Sequence, residues 1–195
     1  MKRVVTFFFV ICLLMAEISS FSGNKQSSPV QDLMEAAKNG DIQRARELLA
    51  KGVDVNAIDD RGKTALMYAV SNGKIDMVGL LIDKGADTRL RDYDKKTPLI
   101  WAATNGQKDM ADYLISKGAE VDYDLNNSYV VETAVVAAAA VGDKDMVEFL
   151  LSKGANINGR DSKSVLEAAS ESGNYELCKF LIEKGAEVNK KGSYT

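Results

Sequence analysis

The chain contains no histidine. That absence excludes catalysis by a histidine base, a histidine-ligated zinc site and a histidine pH switch. Proline is nearly as scarce, at two of 195 residues, so helices can run unbroken between the fifteen glycines. An excess of positive charge is also lacking: 25 Lys and Arg face 28 Asp and Glu. A slightly acidic chain lacks the basic face that phosphate binding needs, which argues against nucleic acid as a partner. What is present is apolar material, 46% of the residues, enough for one domain with a real core and too much for a disordered chain.

The apolar residues are unevenly spread. Lys2 and Arg3 precede an apolar run from Val4 to Ala16 that only Thr6 interrupts. Thirteen helical residues rise about 20 Å, short of the roughly 30 Å hydrocarbon core, so the run reads as a secretory signal. Ser20 and Ser22 supply the small residues expected before a cleavage site at Ser22–Gly23. Retention as an anchor extended through Phe21 is the alternative. Phe9, Val10 and Ile11 before Cys12 exclude a bacterial lipobox. Loss of residues 1–22 removes Lys2, Arg3 and Glu17 and takes the formal charge from −3 to −4. Cys178 is then the only thiol, so no internal disulfide forms and packing must supply stability.

The rest of the chain is dominated by self-similarity. Lys-Gly pairs recur at Lys51-Gly52, Lys84-Gly85, Lys117-Gly118, Lys153-Gly154 and Lys184-Gly185, at intervals of 33, 33, 36 and 31 residues. Gly40, Gly73, Gly106, Gly142 and Gly173 each stand twelve residues earlier. The intervals between the paired glycines predict short amphipathic helices, closed by a last-turn lysine and a left-handed glycine. A second short helix is predicted ahead of each, with Thr64, Thr97, Thr133 and Ser164 as N-caps. Ala36, Ala69, Ala102, Ala138 and Ala169 share one place inside that helix, where two helices can approach closely. Segments such as Gly52–Ala57 and Gly118–Tyr123 read as turns between units.

With Lys63–Ala69 (KTALMYA), Lys96–Ala102 (KTPLIWA), Gly85-Ala86-Asp87 and Gly118-Ala119-Glu120-Val121, the chain resembles the ankyrin repeat family. The resemblance implies a mainly α solenoid of five helix–turn–helix units with short β-hairpin fingers. Together with the N-terminal run, it divides the chain into a signal peptide over 1–22, read from that run alone, a linker over 23–30 and a repeat domain over 31–195. The units fall at about 31–59, 60–92, 93–124, 125–160 and 161–195. Stacked units need polar faces at their ends. Arg44, standing where inner units carry Met77, Met110 and Met146, and Glu167, standing where they carry Met67, Ile100 and Val136, read as those caps. Cys178 aligns with Val78, Ala111 and Val147, which predicts a small buried core residue. The family's motif histidine is replaced by Met34, Met67, Ile100, Val136 and Glu167, so the hydrogen bonds it makes to a neighbouring finger are missing. Looser fingers are the expectation.

No catalytic constellation and no cofactor loop emerges, and the chain reads as non-enzymatic. Asp122-Tyr123-Asp124-Leu125-Asn126 opens like a calcium loop, but Asn127 replaces its required glycine and Thr133 its closing glutamate, so no metal site is assigned. Asn126-Asn127-Ser128 is a formal glycosylation sequon. The resemblance implies that another protein is bound by finger tips and first helices, here through Arg61, Tyr68, Tyr93, Trp101, Tyr129 and Arg160. Asp60, Lys63, Asp94, Lys96, Val130, Glu132, Asp161 and Lys163 of the fingers and Ser71, Asn72, Thr104 and Asn105 of the first helices share that surface. Trp, Tyr and Arg dominate interface hot spots, although Tyr68 and Trp101 could equally pack between units. The first helix of the fourth unit, Ala134–Val141, is apolar all round, which requires cover from its own longer finger (Tyr129, Val130, Val131) or from a partner. The expectation is a monomeric interaction module exported to a periplasm or secreted, binding a protein and neither nucleic acid nor, after signal cleavage, membrane. Its alternatives are an envelope inhibitor or immunity protein for a toxic enzyme, a membrane-tethered scaffold and a calcium-binding protein.

Overall fold

Local capping chemistry fixes where the helices begin. Ser28 accepts from the Gln31 amide at 3.2 Å while the Gln31 side chain accepts from the Ser28 amide, and Pro29 occupies the first turn. The first helix, α1 (Pro29–Asn39), therefore starts inside the segment that the sequence assigns to the 23–30 linker. The computed structural model describes residues 28–122, 132–159 and 163–188. The predicted signal peptide lies outside them.

Nine further helices follow among the described residues: α2 (Ile42–Ala50), α3 (Ala65–Ser71), α4 (Ile75–Asp83), α5 (Pro98–Thr104) and α6 (Lys108–Ser116), then α7 (Ala134–Ala140), α8 (Lys144–Ser152), α9 (Val165–Glu171) and α10 (Tyr175–Glu183). Thr64, Thr97 and Ser164 cap α3, α5 and α9 as expected, each accepting from an amide three residues on. Thr133 stands at the same place before α7 but makes no capping bond, and its buried hydroxyl has no partner among the described residues. The second helices stop as the Lys-Gly pattern predicts. After α4, Gly85 turns to φ 91°, its amide donates to the Ile82 carbonyl and the Ala86 amide to the Leu81 carbonyl, each at 2.9 Å. The same paired bonds close α2, α6, α8 and α10.

Packing then follows from side-chain size. α1, α3, α5, α7 and α9 lie in one row, each against the next, and each also packs on the helix that follows it. The shared alanines make this approach possible: Ala69, Ala102, Ala138 and Ala169 are all fully buried. One continuous core runs from Leu33 to Ala186, with Leu66, Leu81, Leu99, Leu114, Leu150 and Leu181 at its centre. Each such leucine contributes about 2 kcal/mol of burial. No β-strand forms among the described residues. The only pairing there is an isolated antiparallel bridge, Ile58–Thr64, so the fingers before α3 and α5 are tight turns rather than full hairpins.

The ends behave differently from the middle. Arg44 pairs with Asp32 at 2.7 Å and Glu167 is exposed, which keeps the expected cap positions polar. Cys178 does not follow its aligned residues: Val78, Ala111 and Val147 are fully buried, whereas Cys178 is half-buried. Those three lie under a following unit, and among the described residues none follows α10. The apolar α7 needs no outside cover, because Ala134 to Ala139 are all buried within the chain itself. Its proposed covering residues, Tyr129, Val130 and Val131, lie outside the described residues. No helix among the described residues is long and apolar enough to cross a membrane.

Candidate functional site

Two fingers, before α3 and α5, are built on one plan. In the first, Asp59 folds the turn back on itself: its Oδ1 accepts from the Arg61 amide at 2.9 Å and the Lys63 amide at 2.8 Å. Its Oδ2 accepts from the Tyr68 hydroxyl at 2.6 Å, which ties the turn to the helix behind it. In the other, the third finger of the chain as that before α3 is the second, the Asp92 Oδ1 accepts from the Lys96 amide and its Oδ2 from the Trp101 indole Nε1, each at 2.9 Å. Asp92 is only 2% exposed, a charge position affordable because both oxygens are bonded.

The electrostatics follow from that geometry. Burial alone would raise the Asp59 pKa, but the Tyr68 hydroxyl, the Lys63 and Arg61 amides and the Lys63 charge outweigh it and hold the carboxyl below its ordinary value. The same hydrogen bond pushes the Tyr68 hydroxyl up to about 12, with burial and the carboxylate charge adding to it. The proton stays on tyrosine and the charge on aspartate.

Lysines complete the arrangement. The Lys63 Nζ lies 3.7 Å from the centre of the Trp101 ring and 5.7 Å from that of Tyr68, spanning the two units. The Lys96 Nζ lies 5.0 Å from the Trp101 ring. At the tips, the Tyr93 amide donates to the Arg61 carbonyl at 3.0 Å, and the Tyr93 ring rests on Gly62. A Cβ at Gly62 would fall 2.6 Å from that ring, so only glycine fits this contact, and its φ of 72° suits glycine too. Lys95 fills the equivalent place in the next finger with φ 65°, a conformation that costs a non-glycine residue about 1 kcal/mol.

Four of the six predicted contact residues are thereby gathered. Tyr68 and Trp101 are joined through Lys63, and Arg61 and Tyr93 meet at adjacent tips. Tyr68 and Trp101 are each half-buried and tied to their own finger. Tyr93 is 65% exposed. Tyr129 and Arg160 lie outside the described residues. The hydroxyls of Ser71 and Thr104 bond back to the Met67 and Ile100 carbonyls, so these two offer little to a partner.

The aspartates were the signal that motif reading passes over. Asp59–Tyr68 and Asp92–Trp101 share a spacing of nine residues, visible in the sequence once it is sought. The expectation of loose fingers took no account of them: in these two units an aspartate tied to an aromatic residue links the finger to the helix behind it. Of the calcium-like stretch, Asp124 and Asn126 lie outside the described residues. Asp122 ties neighbouring units instead, accepting from the Asn156 amide at 2.8 Å. Asn56 does the same for the Asp87 amide at 2.9 Å. No group of three or more acidic or cysteine side chains suited to a metal occurs among the described residues.

A family model described as ankyrin repeats (3 copies) matches residues 33–127 and 122–192, well over half of the chain. No curated protein matches it.

Proposed function

The chain belongs to the ankyrin repeat family, and on that premise we propose that it is a five-unit, non-enzymatic module that binds one protein partner through its second and third fingers. Ankyrin repeats are general protein–protein interaction modules. The observation that carries the finer reading is the row Tyr93, Trp101, Lys63 and Tyr68. Here the Tyr68 and Trp101 rings are held by a half-buried and a buried aspartate instead of being left to rotate, and the Lys63 ammonium lies over both rings. Preorganised aromatic side chains lower the entropy cost of binding and are the residues that hot spots favour. The sequential pairing of the ten helices among the described residues supports the count of five units. The basic and apolar N-terminal run supports export to a periplasm or secretion, and the protein acts there as a monomer.

Affinity capture with the exported chain tests the binding reading. The unsubstituted chain retains a specific partner, and a Tyr68→Ala/Trp101→Ala variant loses it while its melting transition stays cooperative. Identical captured proteins from the two would remove these residues from the interface. N-terminal mass measurement of the exported chain tests the export reading, which expects Gly23 as the first residue.

A further inference from the structure

The chain is acidic overall, yet the aromatic site at Trp101 carries unclaimed positive charge. The Trp101 indole is fixed at its edge by the bond from Nε1 to the buried Asp92 carboxylate. Donation to a carboxylate enriches the ring's electrons, and a fixed indole is the strongest aromatic partner for a cation. Two ammonium groups lie within 5.0 Å of that ring's centre, those of Lys63 and Lys96. Neither makes an ion pair or a hydrogen bond through its Nζ among the described residues. The neighbouring acids do not supply one. Asp92 spends its oxygens on Trp101 and the Lys96 amide, and Asp59 spends its own on Tyr68 and the Arg61 and Lys63 amides. Asp59 feels the Lys63 charge, but at more than ion-pair distance. Asp60 and Asp94 are exposed at the tips and pair with neither lysine, while Arg61 and Lys95 are exposed beside them.

We infer that this pair of lysines on Trp101 receives a carboxylate side chain from an acidic segment of the protein partner. The inference rests on the binding reading above and specifies its chemistry. Lysines are compact point charges, and two of them flanking one indole suit a single carboxylate whose aliphatic stem lies on the aromatic surface. The opposite signs of charge on site and segment steer their encounter. A chain of net charge −3 disfavours a polyanion such as nucleic acid, which must approach the whole surface.

Trp101 is the only tryptophan, so its fluorescence reports on this site directly. The full chain is titrated with a blocked tetraglutamate peptide, the matching tetraglutamine peptide and inorganic phosphate. A saturable change with the glutamate peptide alone is expected. It should weaken at least tenfold in Lys63→Gln/Lys96→Gln and remain unchanged in Lys153→Gln/Lys184→Gln, whose lysines lie over Phe149 and Phe180 instead. No saturable change, an equal response to tetraglutamine or phosphate, or an equal loss in the distant pair overturns the inference. Capture of a partner that depends on Tyr68 and Trp101 but not on Lys63 and Lys96 also overturns it, and leaves the binding reading intact.

Discussion

The third and fourth units put different chemistry on one scaffold position. In α5 the place belongs to Trp101, whose indole donates to its own finger and leaves part of the ring to solvent. In α7 the equivalent residue is Ala137, 2% exposed, and the helix around it is buried from Ala134 to Ala139. The N-cap differs in the same sense: the Thr97 hydroxyl is bonded to the helix, while that of Thr133 is buried and unpartnered among the described residues. A repeat protein can therefore spend one position on recognition or on core. In the proposed binding mode the second and third units serve recognition, while the first helix of the fourth serves packing and offers a partner no accessible aromatic surface.

That contrast breaks most visibly under a buried charge. Val136 is 6% exposed, whereas Glu167 holds the equivalent place in α9 in solvent. Val136→Asp is expected to cost about 3 kcal/mol or more, and Glu167→Val less than about 0.5 kcal/mol, in denaturant unfolding. Equal effects would mean that the fourth unit is no more buried than the last.

The finger ties come next in size. Asp92→Ala strands the Trp101 and Lys96 donors and is expected to cost about 2 kcal/mol; Asp59→Ala, at an aspartate that is only half-buried, costs about 1 kcal/mol. The sign of the pH dependence follows from the directions of shift. Asp59, lowered, adds stability that is present above the ordinary carboxylate value of 3.8 and lost as pH falls through its own pKa. Tyr68, raised, adds stability that is present below 10.0 and lost as pH rises toward about 12. Tyr68→Phe should flatten the alkaline limb of the stability profile without shifting the midpoint at neutral pH by more than about 1 kcal/mol. An unchanged alkaline limb would count against the tie.

The cap gives the smallest and most discriminating effect. Thr97→Val removes a bonded hydroxyl and is expected to cost about 1 kcal/mol. Thr133→Val removes one without a partner among the described residues and should lie within about 0.5 kcal/mol of zero, or stabilise slightly. Equal costs would show that Thr133 is a working cap after all.

Much of the fold was legible because its signals are local. A lysine and a left-handed glycine end a helix through bonds within six residues, and a threonine begins one through an amide three residues on. The candidate site was legible in its aromatic rings and its cations but not in the aspartates that tie the rings. Asp59 and Asp92 act across nine residues that include a non-helical turn, and no helical or strand periodicity joins such positions. One departure, Cys178, belongs to its neighbours rather than to its own motif. The same register buries Val78 and Val147 fully but leaves Cys178 half-buried, because burial in a stack is conferred by the following unit.

Amide hydrogen exchange at the second and third fingers tests most directly whether the aspartate ties hold them. The Lys63 and Lys96 amides, bonded to Asp59 and Asp92, and the Tyr93 amide, bonded to the Arg61 carbonyl, should exchange at least tenfold more slowly than the exposed tip amide of Asp60. That protection should disappear in Asp59→Ala/Asp92→Ala while the α5 amides stay protected. Exchange of Lys63, Lys96 and Tyr93 as fast as Asp60 in the unsubstituted chain would contradict the account.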